Sequence, residues 1–552
     1  MAFDTTARSG RWTYLVQIEL STGTIYYSNA PVIVDNQPYQ ARLRSTPNIS
    51  TQLTDILNPV QTASAINLTL ANEDQALTTL IQNNTWGNRV VKLYIGEGSS
   101  LSSGYTQVFE GTVRFPNGWR WNEDTATVTV NDRRVKDSKD LPIKSSGMGS
   151  TLRYGTSEYP TMDQQFLTNP KQILIGDWNS GVGSERIRAV CVNTTTKKFK
   201  IAGHAVQSID AVYKQNGLTA FTAVSFSSVS LTDASFILDV AYDSTKDVIT
   251  VHAKGAETSN STLIETPSAV LKYLLQTHLG VATTSINQTV FTQLETDATQ
   301  SLRRYIDTVK DSSVLITEIA RDVGIDFYIK EGQYQATTST VSSVLTGLTT
   351  LRAEDIIPDS FEAIGDPDNN YFNSITIAYK FNPETGKYKE IDDDSATAIA
   401  DVGATINRTF QFNWLYDDTE TAARRDNLLF IFSQEPTTVL ATFKHKALLH
   451  YIADRVYLNY SNDLASLNYY AGTPFQVRRI DLDPEEMQIK LRLWDISRIV
   501  SYGAWAPDTI NAWSGETEEN RSTYGWWTDD NGEIVTGDPN TARSLWATDT
   551  AI

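Results

Sequence analysis

Val108-Phe109-Glu110-Gly111-Thr112-Val113 leads through Trp119 and Trp121 to Thr125-Ala126-Thr127-Val128-Thr129-Val130, and this stretch decides the fold class. β-Branched and aromatic side chains crowd it, and they fit a pleated strand better than a helix. Upstream, Ile66, Leu68 and Leu70 alternate with polar residues, the period-two mark of a half-buried strand. Residues 14–20 and 24–27 flank Ser21-Thr22-Gly23, a hairpin turn supplied with its flexible glycine. Residues 90–95 add another strand, and one short helix is predicted from about Asp74 to Ile81. Many short strands joined by turns make a sandwich or barrel, placed at about 1–145.

Outward from there, residues 144–150 are rich in Gly and Ser and read as a linker. A second β-rich block spans about 160–258, with an Asn216-Gly217 hairpin signal and a closing strand over 248–253. Helices follow within an α+β region at 259–350. Thr266 and Pro267 start one that Gly280 ends, and Asp311 caps another that Gly324 stops. A hairpin about Lys330-Glu331-Gly332 comes next. The region 351–503 begins with an alternating strand over 373–379 and a return after Asn382-Pro383-Glu384-Thr385-Gly386. Two helices are predicted near 418–432 and 437–458, and a hairpin turns at Asp483-Pro484-Glu485-Glu486. The expected fold class is therefore β-rich α+β and multidomain, as 552 residues require at roughly 100–200 residues per domain.

The last segment, 504–552, differs in character. It holds five of twelve tryptophans, Trp505, Trp513, Trp526, Trp527 and Trp546, and nine acidic against two basic residues. One small hairpin is predicted there, residues 525–527 against 533–535 with Asp530-Asn531-Gly532 at the turn. Aromatics on an acidic, otherwise aperiodic segment suit docking onto a partner.

A net charge of −19 argues against a phosphate-binding protein, although an acidic surface suits a channel that DNA merely passes. Cys191 is the single cysteine, so neither an intrachain disulfide nor a thiolate metal cluster is expected. No signal peptide is read at Met1-Ala2-Phe3-Asp4, and no apolar run reaches 18 residues, so no membrane insertion of this chain is expected. The histidines His204, His252, His278, His445 and His450 form no HExxH pattern, and no GxSxG elbow, Walker loop or dinucleotide fingerprint occurs. Acidic clusters at Asp392-Asp393-Asp394, Asp366-Pro367-Asp368 and Asp529-Asp530 lack the spacing of a calcium loop and read as solvated turns. Arg133-Arg134-Val135-Lys136, the one basic run singled out, reads as a solvated strand end. No catalytic residue, cofactor or metal is expected.

The order of these blocks resembles the baseplate hub proteins of long-tailed bacteriophages, a tail-tip family also seen in gene transfer agents. The resemblance lies in INLTLANEDQALTTLI (66–81), RVVKLYIGEG (89–98), VFEGTVR (108–114) and DTATVTVNDRR (124–134) for the opening tube-like barrel. NPKQILIGDWNSG (169–181) through DVITVHAKGA (247–256) resembles the inserted β domain. TPSAVLKYLLQTHLG (266–280) and SSVLITEIARDVGIDFYIKEGQYQ (312–335) resemble the α+β portion, and YFNSITIAYKFNPETGKY (371–388) the second tube-like domain. The resemblance spans about 1–500 and is one of order and texture.

It implies a homotrimer whose two barrels per subunit make a pseudo-sixfold ring. Such a ring sits in the virion between a sixfold tail tube or distal tail protein and a threefold spike or fibre. DNA passes through it at ejection, after the tape-measure protein leaves. The tryptophan tail has no counterpart in the family pattern. Two other readings stay open: another tail component (a distal tail, fibre-attachment or glycan-binding tail-spike protein), and an enzyme degrading cell-wall polysaccharide. Glycan binding or lytic activity would distinguish them.

Overall fold

The computed structural model describes residues 12–497 apart from 46, 55–56, 63, 97, 143–152, 180–184, 340–347, 445–446, 449, 463–466 and 484–485. Beyond 497 it describes only the paired backbone of 527–528 and 534–535.

The protein is β-rich and multidomain. Its first sheet has ten strands and begins with the hairpin Thr13–Leu20 and Gly23–Ser28. Thr13–Leu20 lies against Val90–Gly96, and the order continues through Tyr105–Val113, Thr125–Asp132 and Ala65–Ala71. Alternation holds through it: Ile66, Leu68, Leu70, Ala126, Val128 and Val130 are all buried. The helix Ala76–Asn83 places Leu77 and Ile81 in the same core.

A second sheet of seven strands is built mostly from the far end of the chain. It runs Thr350–Arg352, Arg455–Asn462, Leu467–Asp483, Gln488–Asp495, Thr437–Phe443 and Glu362–Gly365. Its remaining strand, Ile49–Gln52, comes from the first region and pairs with Leu467–Asp483 in the register Leu482↔Ile49. Val16, Leu68, Leu93 and Val128 of the first sheet share one apolar core with Val439, Phe443, Val456 and Leu491 of the second.

The segment 437–458, expected as a helix, is two strands with a connection between them. Thr437, Thr438 and Val439 are β-branched, and the strand pairs on both sides within its sheet with Thr438, Val439, Ala441, Thr442 and Phe443 all buried, so strand packing prevails over the helical reading. The predicted helix near 418–432 is present as Asp418–Phe432, with Asp417 accepting hydrogen bonds from the amides of Thr419 and Glu420.

Between the two sheets in sequence lie two further bodies. Two four-stranded sheets built from residues 187–254 enclose Phe199, Phe236, Val212 and Val251. The α+β body contains the helices Pro267–Tyr273, Gln288–Asp297 and Ser312–Val323 and the hairpin Ile325–Lys330 with Gln333–Thr338. Glu331 and Gly332, at φ 51° and 75°, form the turn. The three-stranded sheet of Ser374–Asn382, Lys387–Asp394 and Asn407–Gln411 packs into this same core through Phe372, Ile377 and Trp414.

Candidate assembly surfaces and the junctions behind them

The first junction is the stretch that follows Ile49–Gln52. Gln61, nearly fully buried, donates its backbone N–H to Phe327 O at 2.9 Å, and its Oε1 accepts from the Ile329 N–H at 2.7 Å. Its Nε2 donates to Asp132 Oδ2 at 3.4 Å. One glutamine thus ties the first sheet to the central hairpin, while the strand just before it is stitched into the second sheet.

Of the basic run Arg133-Arg134-Val135-Lys136, expected as a solvated strand end, Arg133 and Arg134 belong to this junction, while Val135 and Lys136 are exposed. The run opens the short helix Arg133–Asp137, capped by Asp132. Arg133 donates to Ser285 Oγ at 2.8 Å and to Gly332 O at 3.2 Å, and it lies 3.2 Å from Asp137. Arg134 donates to Thr62 O at 2.6 Å and pairs with Asp132 at 3.0 Å. Tertiary partners contributed by residues 62, 285 and 332 partly cover these charges, and no local pattern announces them. Gly332 takes φ 75°, the left-handed conformation that favours glycine, and the Glu110 carboxylate of the first sheet lies directly against it.

A buried polar triad forms the second junction. Asp326, with no exposed surface, accepts from Gln476 Nε2 at 2.6 Å and from Arg478 Nη1 at 3.0 Å, and Arg478 also donates to Gln476 Oε1 at 3.0 Å. Burial pushes the Asp326 carboxyl above the ordinary carboxylate range, against the pull of Arg478. Since Asp326 lies on the hairpin and Gln476 and Arg478 on the second sheet, this triad fixes one to the other. Nearby in sequence, Asp322 is pushed up to about 6 by burial, while it accepts from the Asn413 and Trp414 amides at 2.7 and 3.0 Å.

The inserted β body is held by a third set. Arg186 makes two bonds to Glu384 at 2.9 and 3.0 Å, and Arg303 pairs with Glu185 at 2.7 Å between the rings of Trp178 and Tyr416. His204 and His278, far apart in sequence, meet edge-on with Tyr273 beside both. Burial lowers both, His278 to about 3.

Of the other predicted positions, Asp392, Asp393 and Asp394 are exposed on the outer strand Lys387–Asp394, and Arg425 pairs with Asp393 at 3.1 Å. Asp366 accepts the amides of Asn370 and Tyr371 in a turn, and Asp368 pairs with Arg492 at 2.5 Å. Among the described residues no three His, Cys, Asp or Glu side chains gather as a metal ion would need, and no helix is long and apolar enough to cross a membrane. His445, Trp505, Trp513, Trp526 and Trp546 lie outside the described residues. Trp527 is described in backbone only, where Trp527↔Val535 and Thr528↔Ile534 pair antiparallel; the rest of the expected hairpin, with its turn, lies outside the described residues.

The exposed edges are more informative. After Val113 the strand beside Thr125–Asp132 is interrupted: the Arg114 N–H bonds Thr129 O, the Thr129 N–H bonds Gly118 O, and Phe115-Pro116-Asn117 is thrown outward. The line then resumes as Trp119–Trp121. A Cβ at Gly118 would lie 2.0 Å from Arg114 O, so glycine alone closes this loop. Phe115 is 70% exposed, Trp119 42% and Trp121 40%. The Trp-x-Trp spacing already places both indoles on one side of a strand; that this strand sits at an open edge is visible only in the folded sheet.

No protein-family model and no curated protein matches the chain. Among solved structures, the 43 kDa tail protein of prophage MuSo2 from Shewanella oneidensis is similar at 10% identity, covering 87% of this chain and 98% of that one, with a TM-score of 0.38. A tail protein from Neisseria meningitidis MC58 is similar at 9% identity, covering 88% and 97%, with a TM-score of 0.35. A chain of the virion of a native gene transfer agent particle is similar at 9% identity, covering 67% and 93%, with a TM-score of 0.40.

Proposed function

We propose that this chain is a structural subunit of a phage tail tip, a hub of which three copies form a ring without performing a catalytic step. The observation that carries this reading is the pairing of two large sheets on one apolar core, with Ile49–Gln52 of the first region completing the second sheet. A chain that presents two sheets in fixed relation offers six in a ring of three, which suits a sixfold tube or distal tail protein on one side and a threefold spike or fibre on the other. The buried triad at Asp326 and the clamp at Gln61 support the reading, because an adaptor under load needs its parts locked together. DNA would pass through the ring after the tape-measure protein, with the net charge of −19 limiting adhesion.

Within this reading the units are 1–145, 160–258, 259–350 and 351–503, and the acidic tail 504–552 docks through its tryptophans on a neighbouring tail component. Symmetry-resolved electron microscopy of the purified chain tests the ring: threefold particles with six sheet-bearing modules are expected, and a monomer or a twofold dimer overturns it. Removal of 504–552 is expected to block particle assembly; intact assembly refutes the role given to the tail.

A further inference from the structure

We propose that the aromatic edge around Trp119 and Trp121 of one copy adds, edge to edge, to the acidic strand Glu362–Gly365 of a second copy. This rests on the ring reading and names the contact that closes the ring. Both strands are outermost in their sheets. Among the described residues Trp119–Trp121 pairs with Thr125–Asp132 alone, and Glu362–Gly365 with Thr437–Phe443 alone. Each therefore offers a row of backbone donors and acceptors to another strand.

Side chains on the two edges match. Phe115, Trp119 and Trp121 together leave on the order of 300 Å² of aromatic surface in contact with solvent, taking roughly 200 Å² per ring system. That is a large patch for an isolated surface, and tryptophan beside arginine is the composition of an interface centre. Residues 114–122 carry Arg114 and Arg120 and no carboxylate, the exposed Glu123 and Asp124 lying past the strand in the following turn, whereas residues 359–368 carry Asp359, Glu362, Asp366 and Asp368 and no lysine or arginine. Asp366 and Asp368 are engaged within the chain, which leaves the exposed Asp359 and Glu362 to face a partner.

Copies that each carry −19 repel one another in general, so association favours the place where local charges are opposite. The two edges lie on different sheets of one chain, so their contact is head-to-tail. Such contacts make rings when the rotation closes. The first sheet of one subunit would then continue into the second sheet of the next.

The test uses the full chain, with native mass spectrometry and sedimentation at micromolar concentration. Wild type is expected to be trimeric. Arg114→Glu with Arg120→Glu, or Asp359→Arg with Glu362→Arg, is expected to weaken association at least about tenfold, and all four changes together to restore it. These four positions are exposed, so the melting temperature should hold and report that each variant is folded. Independently, Arg120→Cys with Ala363→Cys is expected to give disulfide-linked oligomers under oxidation, the native Cys191 being buried. Trimers that are indifferent to charge reversal and do not cross-link overturn this contact while leaving the ring reading standing. A wild-type chain that stays monomeric overturns the ring reading and the contact with it.

Discussion

Removing one member of the buried triad should cost far more than removing all of it. Asp326 is fully buried and Arg478 is 5% exposed, so Asp326→Ala takes from a buried guanidinium the carboxylate that lies 3.0 Å away. A buried charge stripped of its partner costs about 3–5 kcal/mol. Arg478→Met should cost a similar amount at pH 7. It should cost less at acidic pH, because burial already favours the protonated Asp326 carboxyl. The pair Asp326→Leu with Arg478→Met still strands the Gln476 amide, which is 1% exposed, at about 1–3 kcal/mol. The triple change Asp326→Leu, Gln476→Leu, Arg478→Met removes every polar group of the triad, and we expect it within about 2 kcal/mol of wild type. A chain of several bodies need not unfold in one step, so urea midpoints are to be read beside hydrogen exchange of Ile325–Lys330 and Leu467–Asp483. Single changes below about 1 kcal/mol, or a triple change as damaging as the singles, would refute the account of this junction.

Gln61→Ala should destabilise the hairpin by about 1–3 kcal/mol, seen as faster exchange at Ile329, because that buried N–H loses its acceptor. Gly118→Ala should cost about 1–3 kcal/mol in thermal or urea unfolding, since the added carbon meets Arg114 O at 2.0 Å. His278 has its folded value lowered to about 3 from 6.5, so its contribution to stability is fully present above pH 6.5 and is lost as pH falls from there toward 3. With the ring only half-buried, about 1 kcal/mol should be lost between pH 7 and 5. This is to be measured as the difference between wild type and His278→Leu, so that carboxyls such as Asp322, which titrate in the opposite sense, cancel; an identical pH dependence in both would refute it.

Local signals carried the elements well where a short stretch contains its own reason. Asn216-Gly217, Lys330-Glu331-Gly332, the Asp311 cap and the Gly324 stop each specify a turn or a helix end with residues a few positions apart. The same locality explains the failure at 437–458: Ala441, Leu448, Ile452 and Val456 fall at helical spacing while Val439, Ala441 and Phe443 fall at strand spacing, and burial in the second sheet chose the strand. It also explains why Arg133 and Arg134 read as solvated, since the groups that partly cover them come from residues 62, 285 and 332.

What the amino-acid order by itself determined was the β-rich texture, the positions of most turns and caps, and the division between the body of the chain and its acidic tryptophan tail. Only the tertiary structure decided that Ile49–Gln52 belongs to a sheet built some 400 residues later, that Asp326 faces Arg478, and that Trp119–Trp121 and Glu362–Gly365 are open edges among the described residues. Turns and periodicity are fixed by bonds and contacts within a few residues. Strand neighbours and buried charge pairs are settled by which distant surfaces exclude water together, and no local pattern encodes that choice.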